Sequence, residues 1–121
     1  MMIRAILIIR FINFGNMKKD TNRIPLLIKE KVRSVDPQSE VILYGSRARG
    51  DEKTDSDWDI LIIVDYVVDA SIEDKFRDVL YDLELETEEP LSVFVFSKEE
   101  WHSKQRITPF YKNVNKEGIT L

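Results

Sequence analysis

The chain of 121 residues is 43% hydrophobic and 33% charged, which fits one compact globular domain and is too apolar for intrinsic disorder. Its formal net charge of -4 argues against a general grip on nucleic acid backbone, while leaving room for a local basic cluster that holds a nucleotide. The absence of cysteine excludes a disulfide framework, a thiolate zinc site and a cysteine nucleophile, and is compatible with the reducing cytoplasm expected as its location.

The first segment, MMIRAILIIRFINFGN, has an apolar run from Ala5 to Ile9 that Arg10 interrupts. No small-residue cleavage site follows, and a membrane span needs about 20 apolar residues, so neither an export signal nor an anchor is expected. Residues 1–16 are expected to be either an extra element packed on the domain or sequence upstream of a start at Met17.

From Thr21 to Val35, Ile24, Ile28, Val32 and Val35 recur at helical spacing, with Asp20 or Thr21 as candidate cap and Pro25 in the first turn. The DPQ at 36–38 ends this helix, and EVILYG reads as a short buried strand closed by Gly45. DILIIVDYVV is a longer β-branched run that belongs inside a sheet. SIEDKFRDVLYDLELE follows as a helix, with Ser71 and Asp74 in a capping-box-like arrangement and Ile72, Phe76, Val79, Leu80 and Leu83 on one face. After Pro90, LSVFVF reads as a third strand, SKEEWHSKQ as a helix capped by Ser97, and PFYKNVNKE as a last helix begun by Thr108 and Pro109 and closed by Gly118. The expected class is α+β, a small mixed sheet of about three strands flanked by helices.

The candidate site lies between the first two strands. Residues two apart in a strand share a face, so Asp57 and Asp59 converge while Trp58 points the other way. Two such carboxylates at the entry to a buried strand repel unless a cation lies between them, and Mg²⁺ takes oxygen ligands of this kind together with substrate phosphates. The competing reading is an acidic turn before a strand. Gly45 lets a ligand approach the backbone, Ser46 offers a hydroxyl and an amide, and SRARG can form a helical turn that receives phosphate. Arg47, Arg49 and Lys53 add positive charge, or are solvated surface groups. Gly45 and Gly50 are spaced as in a GxxxxGK[ST] phosphate loop, but Asp51 and Glu52 stand where lysine and a hydroxyl are required. The RGD tripeptide at 49–51 lacks any extracellular context.

Gly45-Ser46, ten residues, then Asp57-x-Asp59 resembles the signature of the DNA polymerase β nucleotidyltransferase superfamily, and most closely its minimal nucleotidyltransferases. The resemblance is carried by residues 44–64 and extends to a single nucleotidyltransferase domain over residues 17–121. It implies a polymerase-β-like fold, with Gly45 and Ser46 holding the triphosphate, helped by Arg47 and Arg49, and Asp57 and Asp59 as catalytic metal ligands for Mg²⁺, with Mn²⁺ as substitute. The implied reaction moves a nucleoside monophosphate, AMP from ATP, to a hydroxyl. Many members carry a third carboxylate on the next strand. Here Ser92 takes that position, and Glu84, Glu86, Glu88 and Glu89 read as a solvated helix face, while His102, the sole histidine, reads as a surface residue. Because minimal nucleotidyltransferases pair with HEPN ribonuclease toxins, the resemblance implies an antitoxin that attaches AMP to a toxin tyrosine. The alternative is a weak or inactive binding module that neutralises its partner by contact. An Asp-Trp-Asp glycosyltransferase motif would leave the Gly45-Ser46 turn unexplained, in a chain short for that fold.

Overall fold

The computed structural model describes residues 23–121. The expectations for residues 1–16 and for a cap at Asp20 or Thr21 lie outside them. Helix α1 (Ile24–Val35) leads to strand β1 (Glu40–Tyr44), a single helical turn α2 (Ser46–Arg49) and strand β2 (Trp58–Val64). Helix α3 (Ala70–Thr87), strand β3 (Leu91–Ser97), helix α4 (Lys98–His102), a 3-10 turn (Gln105–Ile107), helix α5 (Pro109–Glu117) and strand β4 (Ile119–Thr120) complete the order.

The strands form one mixed sheet in the order β3-β2-β1-β4. β1 lies antiparallel to β2 and β4, whereas β2 and β3 are parallel, which requires the crossover that α3 supplies. The alternation of β2 explains why it runs through the centre. Trp58, Ile60, Ile62 and Val64 join Ile28 and Val32 of α1 and Phe76, Leu80 and Leu83 of α3 on one face. Leu61 and Ile63 face Trp101 of α4 and Val114 of α5 on the other, with Tyr44, Phe96, Phe110 and Tyr111 closing the edges. Ring contacts tie this second layer together, with Trp101 centred 4.9 Å from Tyr111 and 5.4 Å from Phe110.

Three details differ from the sequence expectation. A fourth strand follows Gly118, because the Leu121 amide donates to the Val41 carbonyl at 2.8 Å and Ile42 and Leu43 pair with Thr120 and Ile119. The cap of α3 is Asp69, whose carboxylate accepts from the Ile72 amide at 2.9 Å, so the helix starts two residues before Ser71 could have capped it. Acids at the end of α3 are engaged: Glu84 accepts from the Leu91 amide at 2.7 Å, and Glu89 lies 3.8 Å from Arg47. Ser97 and Thr108 cap α4 and α5 as expected, each accepting from the amide three residues on. No described helix is long and apolar enough to cross a membrane.

Candidate functional site

The register brings Tyr44, Asp59 and Ser92 side by side across three strands at one end of the sheet. By alternation with Leu61 and Ile63, Asp59 lies on the face covered by α4 and α5, while its neighbour Trp58 is buried on the opposite face. Asp57 precedes the strand and is exposed.

β1 ends at the turn that approaches this row. Gly45 has φ 76° and ψ -161°, a region that only glycine enters without strain. A Cβ there would overlap Asp59 Oδ2 and stand 3.0 Å from Asp59 Cγ, so the absence of a side chain is what lets the turn and the carboxylate meet. The Gly45 carbonyl accepts from the Ala48 and Arg49 amides, both at 3.0 Å, which winds Ser46 to Arg49 into α2. Gly50 closes that turn in the left-handed conformation at φ 83°.

The two arginines of the turn are placed differently. Arg47 is turned inward, donating to the Ser56 carbonyl through Nε (3.3 Å) and Nη2 (3.1 Å), with its guanidinium 4.7 Å from the centre of the Trp58 ring. That arrangement ties α2 to the loop that delivers Asp57, so its charge holds protein instead of facing solvent. Arg49 is exposed and bridges Asp51 Oδ2 at 3.1 Å and Glu117 Oε2 at 3.0 Å. Lys53 is exposed, and its amide donates to Ser56 Oγ at 2.8 Å. His102 lies on the surface, 3.3 Å from the Tyr111 hydroxyl.

Glu117 was not legible as a site residue. It sits at the end of α5 and accepts from the Gly45 amide at 2.6 Å, joining two parts of the chain 72 residues apart. The only sequence signal is an acid in the last helical turn, where the helix dipole disfavours one.

The acids of the site act on one another. Burial first, then the Asp57 charge, holds the Asp59 carboxyl above its ordinary value; Arg49 opposes the shift and Glu117 adds to it. The Tyr44 phenol is also pushed up, by burial and then by Asp59 and Glu117. Two hard oxygen donors that repel each other beside a turn suit a divalent cation that takes its other ligands from phosphates and water. The described residues contain no cluster of three or more carboxylate or histidine groups that could hold a metal by themselves. Ser92, in register with Asp59, gives the site no carboxylate from β3.

Residues 27–115 match the family model of the nucleotidyltransferase domain. The fold resembles the crystal structure of a toxin-antitoxin with AMP-PNP, with a TM-score of 0.56 and 17% identity, covering 84% of this chain and 71% of that one. A "putative nucleotidyltransferase" from Sulfolobus solfataricus aligns at 24% identity and a TM-score of 0.46, over 81% of this chain and 78% of the other. No protein of curated function matches the chain.

Proposed function

Because the chain belongs to the nucleotidyltransferase domain family, we propose that it is an antitoxin that moves AMP from ATP to a hydroxyl, a tyrosine of a HEPN ribonuclease toxin, in the cytoplasm. The observation that carries this reading is the meeting of Gly45 with Asp59: a turn that tolerates no side chain is pressed against a carboxylate that has Asp57 nearby. Asp57 and Asp59 would hold Mg²⁺, with Mn²⁺ as substitute, and that ion when bound neutralises charge on the phosphates. Gly45 and Ser46 would seat the triphosphate, Arg49 would offer charge at its edge, and Arg47 would fix the loop that carries Asp57. In the reaction the acceptor oxygen bonds to the α-phosphorus, the bond from that phosphorus to the bridging oxygen breaks, and pyrophosphate leaves while the hydroxyl proton passes to solvent. The toxin-antitoxin structure with AMP-PNP, whose fold the chain shares, supports both the partner class and the nucleotide.

A second reading has its own observation. With Ser92 in register with Asp59, β3 supplies no group to deprotonate the acceptor, which favours a module that neutralises its partner by contact. The experiment is transfer from ATP labelled on the α-phosphate, with Mg²⁺, in the presence and absence of a HEPN toxin. Label on the toxin supports the transferase. Neutralisation without label, unchanged in Asp57→Asn/Asp59→Asn, supports the binding module.

A further inference from the structure

We propose that Glu117 makes the candidate site selective for a metal-complexed polyphosphate over the free anion, by holding a fixed negative charge against the Gly45 amide and the Arg49 guanidinium. This deepens the nucleotide reading and rests on it.

A carboxylate at the end of α5 meets the negative pole of that helix, so its position depends on particular partners. It has two, the Gly45 amide at 2.6 Å and Arg49 Nη1 at 3.0 Å, both charge-assisted, and its side chain is 17% exposed. Those partners are a backbone donor of the phosphate turn and the exposed arginine beside it. An incoming anion therefore finds both already bound to an anion. The surrounding charge points the same way. Arg49 is shared between Asp51 and Glu117, Arg47 is committed to the Ser56 carbonyl, and Asp59, on which the Asp57 charge acts, lies against Gly45. The negative field of Glu117 reaches both Asp59 and Tyr44. A free polyphosphate meets this excess unscreened. One that arrives with divalent ions brings the charge that the acids lack, and the repulsion from Glu117 is offset.

The test compares wild type with Glu117→Gln and Glu117→Ala by isothermal titration, using Mg-ATP, ATP in EDTA and tripolyphosphate in EDTA. Glutamine keeps an oxygen that can accept from the Gly45 amide and removes only the charge; alanine removes both. We expect each variant to bind the two metal-free anions at least about tenfold more tightly than wild type, and Mg-ATP with a change under about threefold, since the added cation already screens the site. Metal-free affinities equal to wild type in Glu117→Gln overturn the inference. So does weaker binding of every ligand by Glu117→Ala, which would make the contact a structural latch. Should wild type bind Mg-ATP normally while the variants show no gain, the inference alone falls. Should wild type fail to bind Mg-ATP, the nucleotide reading falls and the selectivity that rests on it falls too, even where the variants gain tripolyphosphate. Binding of no ligand by any of the three proteins overturns both.

Discussion

Replacing Gly45 by alanine tests the contact on which the site is built. The backbone at φ 76° and ψ -161° costs a residue with a side chain about 1–3 kcal/mol. The new Cβ must also displace the Asp59 carboxylate, which it would overlap, and pushing that side chain off its rotamer adds about 0.5–1.5 kcal/mol. Asp59 cannot retreat with its strand, because β2 is held by β1 on one side and β3 on the other. The sum, about 1.5–4.5 kcal/mol, lowers the midpoint of thermal unfolding by roughly 5–25 °C for a domain of this size. Urea unfolding followed by the fluorescence of Trp58 and Trp101 measures it directly. Gly50→Ala is the control: its φ of 83° is also positive, but a Cβ there has nothing within 4 Å, so the cost should stay near about 1 kcal/mol. A cycle with Asp59→Ala isolates the contact. In that background Gly45→Ala should retain the strain and lose the overlap, giving a coupling of at least about 0.5 kcal/mol. Equal costs in both backgrounds, or a Gly45→Ala protein as stable as Gly50→Ala, would mean that Asp59 does not constrain position 45.

Three further outcomes follow from other residues. Arg47→Ala should destabilise the fold by about 2–3 kcal/mol, through lost hydrogen bonds to Ser56 and the lost contact over Trp58, and Arg47→Lys should recover less than half in the same urea assay. The Tyr66 phenol is pushed up to about 12, by burial and by its hydrogen bond to Asp36, so the folded protein keeps a proton that the unfolded chain loses near its ordinary value of 10. Its contribution is therefore complete below pH 10 and is lost as pH rises towards 12, and Tyr66→Phe should flatten that alkaline decline in urea titrations at stepped pH. Ser92→Asp, facing Asp59 in register, should raise AMP transfer to a hydroxyl acceptor by about 10²-fold or more while changing the Kd for Mg-ATP little, as read from single-turnover transfer and titration.

What could be read from the sequence was local. The burial of Phe76, Leu80 and Leu83 follows from spacing along one helix, and the Gly45-Ser46 and Asp57-x-Asp59 pattern lies within one short stretch that joins two adjacent strands. What escaped was set by distance or by competition. β4 has two residues, too few to show alternation, and exists because its backbone completes the edge of β1. Glu117 reaches Gly45 from the far end of the chain, and no neighbour in sequence marks that contact. An arginine in a basic, glycine-bounded turn reads as a surface charge, yet Arg47 has only 7% of its side chain exposed because the Trp58 ring and the carbonyls of Thr54 and Ser56 receive it. At the start of α3, Asp69 and Ser71 both have the chemistry of a cap, and only the geometry selects the earlier one.

Titrating Mg-ATP into wild type and into Asp57→Asn/Asp59→Asn tests most directly whether Asp57 and Asp59 with the Gly45 turn form a metal-dependent nucleotide site. Saturable, Mg²⁺-dependent binding is expected for wild type and its loss in the double variant, which should unfold at the same temperature or higher because the burial of the Asp59 charge and its repulsion by Asp57 are both relieved. A double variant that binds Mg-ATP as tightly as wild type would contradict that assignment.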